Sequence, residues 1–256
     1  MAHLDIDLVP LLKDNYGYLL HDRSTGATAV VDPSEARPVL AVARAKGYRL
    51  THILNTHHHW DHTGGNLELK QATGAAIVGP LYDAGRIPGL DGGVQEGERF
   101  TLGTAVADIL FIPGHTSGHI AFWFAESAAV FCGDTLFALG CGRLFEGTPQ
   151  QMWASLDKLR RLPPTTRVYC GHEYTQANAR FALTVEPDNP ALAMRSRRVD
   201  EARAAGRATV PSTMGEERAT NPFLRADEPS VAAAVGLAGA DPVSVFAETR
   251  RRKDNF

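Results

Sequence analysis

The densest chemistry in the chain is the run Thr56-His57-His58-His59-Trp60-Asp61-His62. Imidazole and carboxylate are the natural donors for zinc and related divalent ions. Residues two apart in extended backbone point the same way, so His57 and His59 can reach one ion together. Asp61 and His62 lie just beyond, where the chain can turn toward a second ion. Gly64 and Gly65 follow and permit a tight turn into a helix. By the same alternation His58 points away and is expected to pack or to brace the run. A lone histidine is usually a satisfied core or surface residue, but four ligand-type residues in six positions after an apolar strand argue for a metal.

Three further fragments end apolar segments: Pro113-Gly114-His115-Thr116-Ser117-Gly118-His119, Cys132-Gly133-Asp134-Thr135-Leu136 and Cys170-Gly171-His172-Glu173. Each alone is an ordinary turn. With the first run they supply seven ligands, His57, His59, Asp61, His62, His115, Asp134 and His172, enough for two ions with open positions. His119 opens a strand and is expected to orient the loop or a ligand. Two neighbouring divalent ions acidify a shared water and polarise a carbonyl or phosphoryl oxygen. Asp61 or Asp134 can hold that water and take its proton. A thioester suits such a site, because a thiolate departs with little acid assistance.

The elements that would carry these residues alternate between strand and helix. Leu50–Asn55 is a short apolar strand directly before the His run. Tyr16–His21 and Ala27–Val31 flank the turn Ser24-Thr25-Gly26. Glu35–Lys46 has helical apolar spacing and Gly47 is a stop signal. Val106–Ile112, His119–Phe124, Ala128–Cys132 and Arg167–Cys170 read as strands. Pro149–Leu162 is an amphipathic helix ended by Pro163-Pro164. Beyond His172 the pattern turns helical, over Gln176–Val185, Ala191–Ala205, Pro229–Leu237 and Pro242–Arg252. Residues 206–222 read as a loop. The division this predicts is a mixed α/β portion over 1–172 and a helical portion over 173–256.

This ligand set resembles the signature of the metallo-β-lactamase superfamily. The resemblance implies an α/β fold, a four-layer αββα sandwich with a C-terminal α-helical domain. It implies that His57, His59 and His115 hold one ion, that Asp61, His62 and His172 hold a second, and that Asp134 bridges them. The resemblance narrows to the glyoxalase II family, in its bacterial form, through Lys13-Asp14-Asn15-Tyr16, Thr56–Gly65, Gly140–Thr148, His172-Glu173-Tyr174-Thr175 with Asn178, and Arg250–Phe256. It covers essentially the whole chain. Members hydrolyse S-D-lactoylglutathione to D-lactate and glutathione, the second step of methylglyoxal detoxification, with two divalent ions, zinc foremost and iron or manganese as alternatives. The resemblance implies that Arg250 and Lys253 hold the glycine carboxylate of glutathione. It places Arg143, Tyr174 and Asn178 along the same ligand. Phe145 departs from the pattern, standing where some members carry a tyrosine that hydrogen-bonds glutathione. A glutathione-persulfide dioxygenase of the same fold is the nearest alternative.

Composition bounds the remaining readings. The chain of 256 residues is 44% hydrophobic and 21% charged, ordinary for a globular protein. A net charge of −3 argues against nucleic acid or an anionic membrane as partner. Three cysteines, Cys132, Cys141 and Cys170, match no disulfide framework or Cys-rich zinc motif and fit a reducing compartment. With neither a secretory h-region nor a run long enough to span a bilayer, the expected location is cytoplasmic; a monomer is expected, though no residue pattern dictates it.

Overall fold

The structure is a computed structural model and describes residues 3–256. The chain divides into two compact units. One comprises residues through Phe111 together with Thr116–Gly133; the other comprises Ile112–His115 together with Asp134–Phe256.

The first unit begins with β1 (Leu4–Leu11), β2 (Asn15–Asp22) and β3 (Thr28–Val31), then α1 (Ala36–Lys46) and β4 (His52–Leu54). It continues with α2 (Trp60–Thr63), α3 (Asn66–Thr73), β5 (Ala76–Pro80), a 3-10 turn over Leu81–Arg86 and β6 (Gly92–Val94). These strands form one sheet in the order β1 to β6, antiparallel across β1, β2 and β3 and parallel from β3 onward. Parallel neighbours need a crossover, which α1 supplies between β3 and β4. A sheet covered on both faces reads as continuous apolar sequence, and β2 does, with Tyr16 to Leu20 all buried. Leu19 packs among Val39, Ile53, Leu69 and Ile77 on the helix side. Tyr18, on the opposite face, meets Phe131 of the second sheet with ring centroids 5.6 Å apart.

In this unit the second sheet is an antiparallel meander of β7 (Arg99–Leu102), β8 (Ala105–Phe111), β9 (Ile120–Phe124) and β10 (Ala129–Gly133). The two sheets are also tied by polar contacts. The Asp22 carboxylate at the end of β2 accepts from the Thr104 amide and hydroxyl in the β7–β8 turn, at 2.6 and 2.9 Å.

The second unit opens with the short hairpin β11 (Leu136–Phe137) and β12 (Gly140–Cys141), followed by α4 (Pro149–Arg160) and β13 (Arg167–Cys170). Then come α5 (Thr175–Val185), α6 (Pro190–Ala204), β14 (Ser212–Thr213), α7 (Met214–Thr220), a 3-10 turn over Pro222–Leu224, α8 (Pro229–Ala234) and α9 (Pro242–Asp254). Helix starts follow local chemistry. Proline occupies the first turn of α4, α6, α8 and α9, where its missing N–H costs nothing. Thr148, Asn189 and Asp241 cap helix N-termini through their side chains.

The loop expected over residues 206–222 is corrected here. Ser212–Thr213 pairs with β13, and α7 follows at once. Thr213 and Glu216 form a capping box, a helix-start signal that the surrounding Gly, Thr and Pro residues obscure.

Candidate metal centre

In the first unit, β4 delivers the chain edgewise into the His run, and α2 begins at Trp60. His57 and His62 are buried, with ring centroids 4.2 Å apart; the His59 ring lies 4.8 Å from His57. The residue that orders this half is Asp32, just after β3. Its Oδ1 accepts from the Thr56 amide at 2.8 Å, and its Oδ2 from the Thr56 hydroxyl at 2.7 Å and His62 Nδ1 at 3.2 Å. His57 Nδ1 lies 3.0 Å from the same hydroxyl. With Nδ1 engaged behind the site, Nε2 is the nitrogen each ring offers to a metal.

The ligand atoms of Asp32, His57 and His62 all fall within 4.8 Å of one another. Both Asp32 oxygens are committed to Thr56 and His62, so Asp32 orients ligands rather than serving as one. Asn15 explains its place in the resemblance: its amide donates to Asp61 Oδ2 and to the Asp61 carbonyl, both at 3.1 Å. Asp61 Oδ2 then stands 3.6 Å from His62 Nε2.

His58 turns away, as alternation requires, and its Nδ1 meets Asp83 Oδ2 at 2.9 Å. His119 is fully buried and stacks on His57, 4.5 Å between centroids. Gly133 sits behind both at φ +47°, where a Cβ would fall 2.2 Å from Thr56 Oγ1. Gly64 and Gly65 make the turn between α2 and α3 as read from sequence, but with ordinary negative φ, so glycine's left-handed freedom is not what the turn uses. They are small because a Cβ there would strike the Ser34 and Pro33 carbonyls, at 2.6 and 2.8 Å.

In the second unit, His115, Asp134 and His172 are all buried. His115 Nδ1 donates to the Arg143 carbonyl at 2.9 Å, which again turns Nε2 outward. Asp134 Oδ2 lies 3.5 Å from His115 Nε2 and 3.3 Å from His172 Nε2. A charge-assisted N–H···O⁻ bond would close to about 2.8 Å. Two donors about 2.1 Å from one tetrahedral ion lie roughly 3.4 Å apart. The donor set and its spacing therefore fit divalent ions, with one Asp134 oxygen at ligand-to-ligand distance from two imidazoles.

The five residues expected along the substrate also belong to this unit. Tyr174 stacks on His172, 4.6 Å apart and nearly parallel, with an exposed edge. Arg143 is exposed. Lys253 reaches the Ala177 carbonyl at 3.3 Å and lies over Phe181 and Phe256. Burial, and then repulsion from Arg250, Arg180 and Arg143, hold its ammonium below the ordinary lysine range. Asp254 lies among these cations, 2.8 Å from Arg250 and 3.9 Å from Arg143, and offsets part of that repulsion; the cations remaining suit an anionic ligand. They include Arg180, which sequence reading missed because nothing in the spacing of α5 singles it out. Asn178 and Arg250 are buried and face the protein. The Asn178 amide donates to the Ala138 carbonyl at 3.1 Å, and Arg250 donates to the Cys141 carbonyl at 2.9 Å while pairing with Asp254 at 2.8 Å. Phe145 is exposed and meets the His115 ring edge-on at 5.2 Å.

Residues 15–172 match the sequence model of the family described as metallo-beta-lactamase superfamily, and residues 173–256 match that of hydroxyacylglutathione hydrolase C-terminus. The chain is 61% identical to a hydroxyacylglutathione hydrolase of Methylococcus capsulatus, over 99% of both chains. It is 60% identical to one of Rhodospirillum rubrum over the full length of both. Among solved structures it is similar to TTHA1623 in a di-iron-bound form, at 28% identity and TM-score 0.61, covering 84% of this chain and 98% of that one.

Proposed function

The chain belongs to the metallo-β-lactamase superfamily and, within it, to the hydroxyacylglutathione hydrolase (glyoxalase II) family, and from this we propose that it hydrolyses S-D-lactoylglutathione to D-lactate and glutathione, the second step of methylglyoxal detoxification. The observation that carries the reading is the single Asp134 oxygen 3.5 Å from His115 Nε2 and 3.3 Å from His172 Nε2.

In this reading His57, His59, Asp61, His62, His115, Asp134 and His172 would hold two divalent ions, with Asp134 serving both as the resemblance implies. Zinc suits this mixed His/Asp set, and iron or manganese would also be accepted; the similarity to a di-iron protein supports the pairing of ions. Bound there, the ions supply an acidified water and an electrophilic pull on the thioester carbonyl. The Asp61 carboxylate, fixed by Asn15, or that of Asp134 would hold the water and take its proton. The glutathione thiolate leaves without a dedicated acid. Lys253 and Arg143 draw in the carboxylates of glutathione, Tyr174 lines its path, and Asn178 and Arg250 shape the wall behind.

We assign residues 1–172 to catalysis and 173–256 to glutathione binding, in keeping with the spans of the two family models. The three cysteines are free and buried, which suits a reducing cytoplasm. Among the described residues no helix is long and apolar enough to cross a membrane. A monomer is the simplest assembly for a site supplied by one chain.

The test is thiol release from S-D-lactoylglutathione set beside oxygen uptake with glutathione persulfide. Thiol release without oxygen uptake is expected. Oxygen uptake alone would move the chain to the dioxygenase reading.

A further inference from the structure

The hairpin of β11 and β12 joins two parts of the proposed centre. Asp134 precedes it, and Arg143, whose carbonyl orients His115, follows it. The pairing is minimal: Leu136 with Cys141 and Phe137 with Gly140. Its turn is Ala138-Leu139, with Leu139 at φ +59°, a conformation an unbranched glycine would hold more readily. Two-stranded hairpins are marginal in water without outside support.

The support comes from side chains of the helical portion, one backbone group at a time. Asn221 Nδ2 donates to the Phe137 carbonyl at 3.2 Å and to the Gly140 carbonyl at 3.0 Å. Asn178 Nδ2 donates to the Ala138 carbonyl at 3.1 Å. Glu217 Oε2 accepts from the Leu139 amide at 2.9 Å. Arg250 Nη1 donates to the Cys141 carbonyl at 2.9 Å. Five consecutive residues are thus held by four side chains. Three of these come from α5, α7 and α9, and Asn221 follows α7. Glu217 is fully buried, with its charge met by Arg195 and by Asn221 at 3.0 Å. The Leu139 side chain packs among Ala179, Ala182 and Leu192.

We propose that Asn178, Glu217, Asn221 and Arg250 form a positioning clamp: they fix the 137–141 hairpin so that Asp134 on one side and the Arg143 carbonyl on the other present Asp134 and His115 to the metals. None of the four touches the reacting atoms. The helical portion then serves the metal centre as well as the substrate. This inference rests on the reading of Asp134 and His115 as metal ligands.

The test compares Asn178→Ala and Asn221→Ser with Val231→Ala, a cavity variant in α8 that lowers stability without touching the hairpin. Three quantities are read well below each melting temperature. They are metal retained after dialysis against a weak chelator, kcat and KM for the glutathione thioester, and amide exchange over 138–141. The clamp predicts metal retention about 10- to 100-fold weaker, as for other groups that orient ligands. It also predicts a lowered kcat with KM changed less than about 3-fold, and faster exchange at Leu139. Raised KM with intact metal would instead make Asn178 a substrate contact and overturn the proposal. So would metal loss no greater than in Val231→Ala at equal loss of melting temperature. Should Asn221→Ser fail to fold, Asn178→Ala, which removes one hydrogen bond, decides alone. If the wild-type chain binds metal yet hydrolyses no glutathione thioester, the functional reading fails, and metal retention and exchange still judge the clamp.

Discussion

The two halves proposed to hold metal are built on different principles. The first draws His57, His59, Asp61 and His62 from one run and braces them with side chains: Asp32 behind His62 and Thr56, Asn15 on Asp61, Asp83 on His58. The second gathers His115, Asp134 and His172 from three loops and orients them through backbone, with the Arg143 carbonyl on His115 and a clamped hairpin after Asp134. A contiguous half can be braced by a few charged residues. A dispersed half needs the surrounding fold.

The largest expected effect comes from removing the residue proposed to serve both ions. Asp134→Ala should lower kcat by at least about 10³-fold, the scale of several kcal/mol of lost charge stabilisation, and release metal, read by elemental analysis. Turnover near wild type would remove Asp134 from the centre. The comparison sharpens with Asp32→Ala, which strikes the braced half alone. Metal affinity should weaken about 10- to 100-fold, while amide exchange over the 137–141 hairpin stays as in wild type.

Lys253→Ala lies outside both ligand halves. KM for the glutathione thioester should rise about 10-fold, the cost of one charge-assisted contact, with metal retention unchanged. Because burial and neighbouring arginines hold Lys253 below the ordinary lysine range, its ammonium is lost earlier as pH rises. Wild-type KM should therefore climb on the alkaline side before free lysines titrate, and the variant should lack that limb.

Asp22 probes the first unit apart from chemistry. Burial alone would raise its carboxyl, but the Thr104 and Ser24 amides and the Thr104 and Thr25 hydroxyls overcome that and hold it below the usual range. A depressed carboxylate contributes stability above its unfolded pKa of about 3.9, and that stability is lost as pH falls below it. Asp22→Asn should cost about 1–3 kcal/mol at neutral pH and flatten the acid limb of a denaturation series. The smallest effect is none: burial raises the thiols of Cys141 and Cys170 to about 11 and about 12, so neither should react with iodoacetamide near neutral pH in the folded protein.

What the sequence made legible follows the same contrast. The His run could be read directly, because donor type and two-residue spacing are local. The strand before it was also legible, since Ile53 and Leu54 are apolar and buried directly before the run. His115, Asp134 and His172 were weak signals singly, for each alone is a residue after a glycine; they gained weight only beside the His run, and their allotment to ions came from the resemblance. Asp32 was missed: one aspartate between Val31 and Pro33 looks like a turn, and its three bonds to Thr56 and His62 exist only once β3 lies beside β4. Asn178 and Arg250 were placed along the ligand by resemblance alone; that they also bond the Ala138 and Cys141 carbonyls depends on packing that helical periodicity does not carry. The capping box at Thr213 was readable but was masked by the loop-like composition around it.

The central claim is that seven side chains bring two ions together with Asp134 between them. Anomalous diffraction from crystals of the metal-loaded protein tests it most directly. Two peaks about 3.5–4 Å apart, with one Asp134 oxygen within bonding distance of both, are predicted. A single peak, or two peaks with Asp134 bound to neither, would contradict the account.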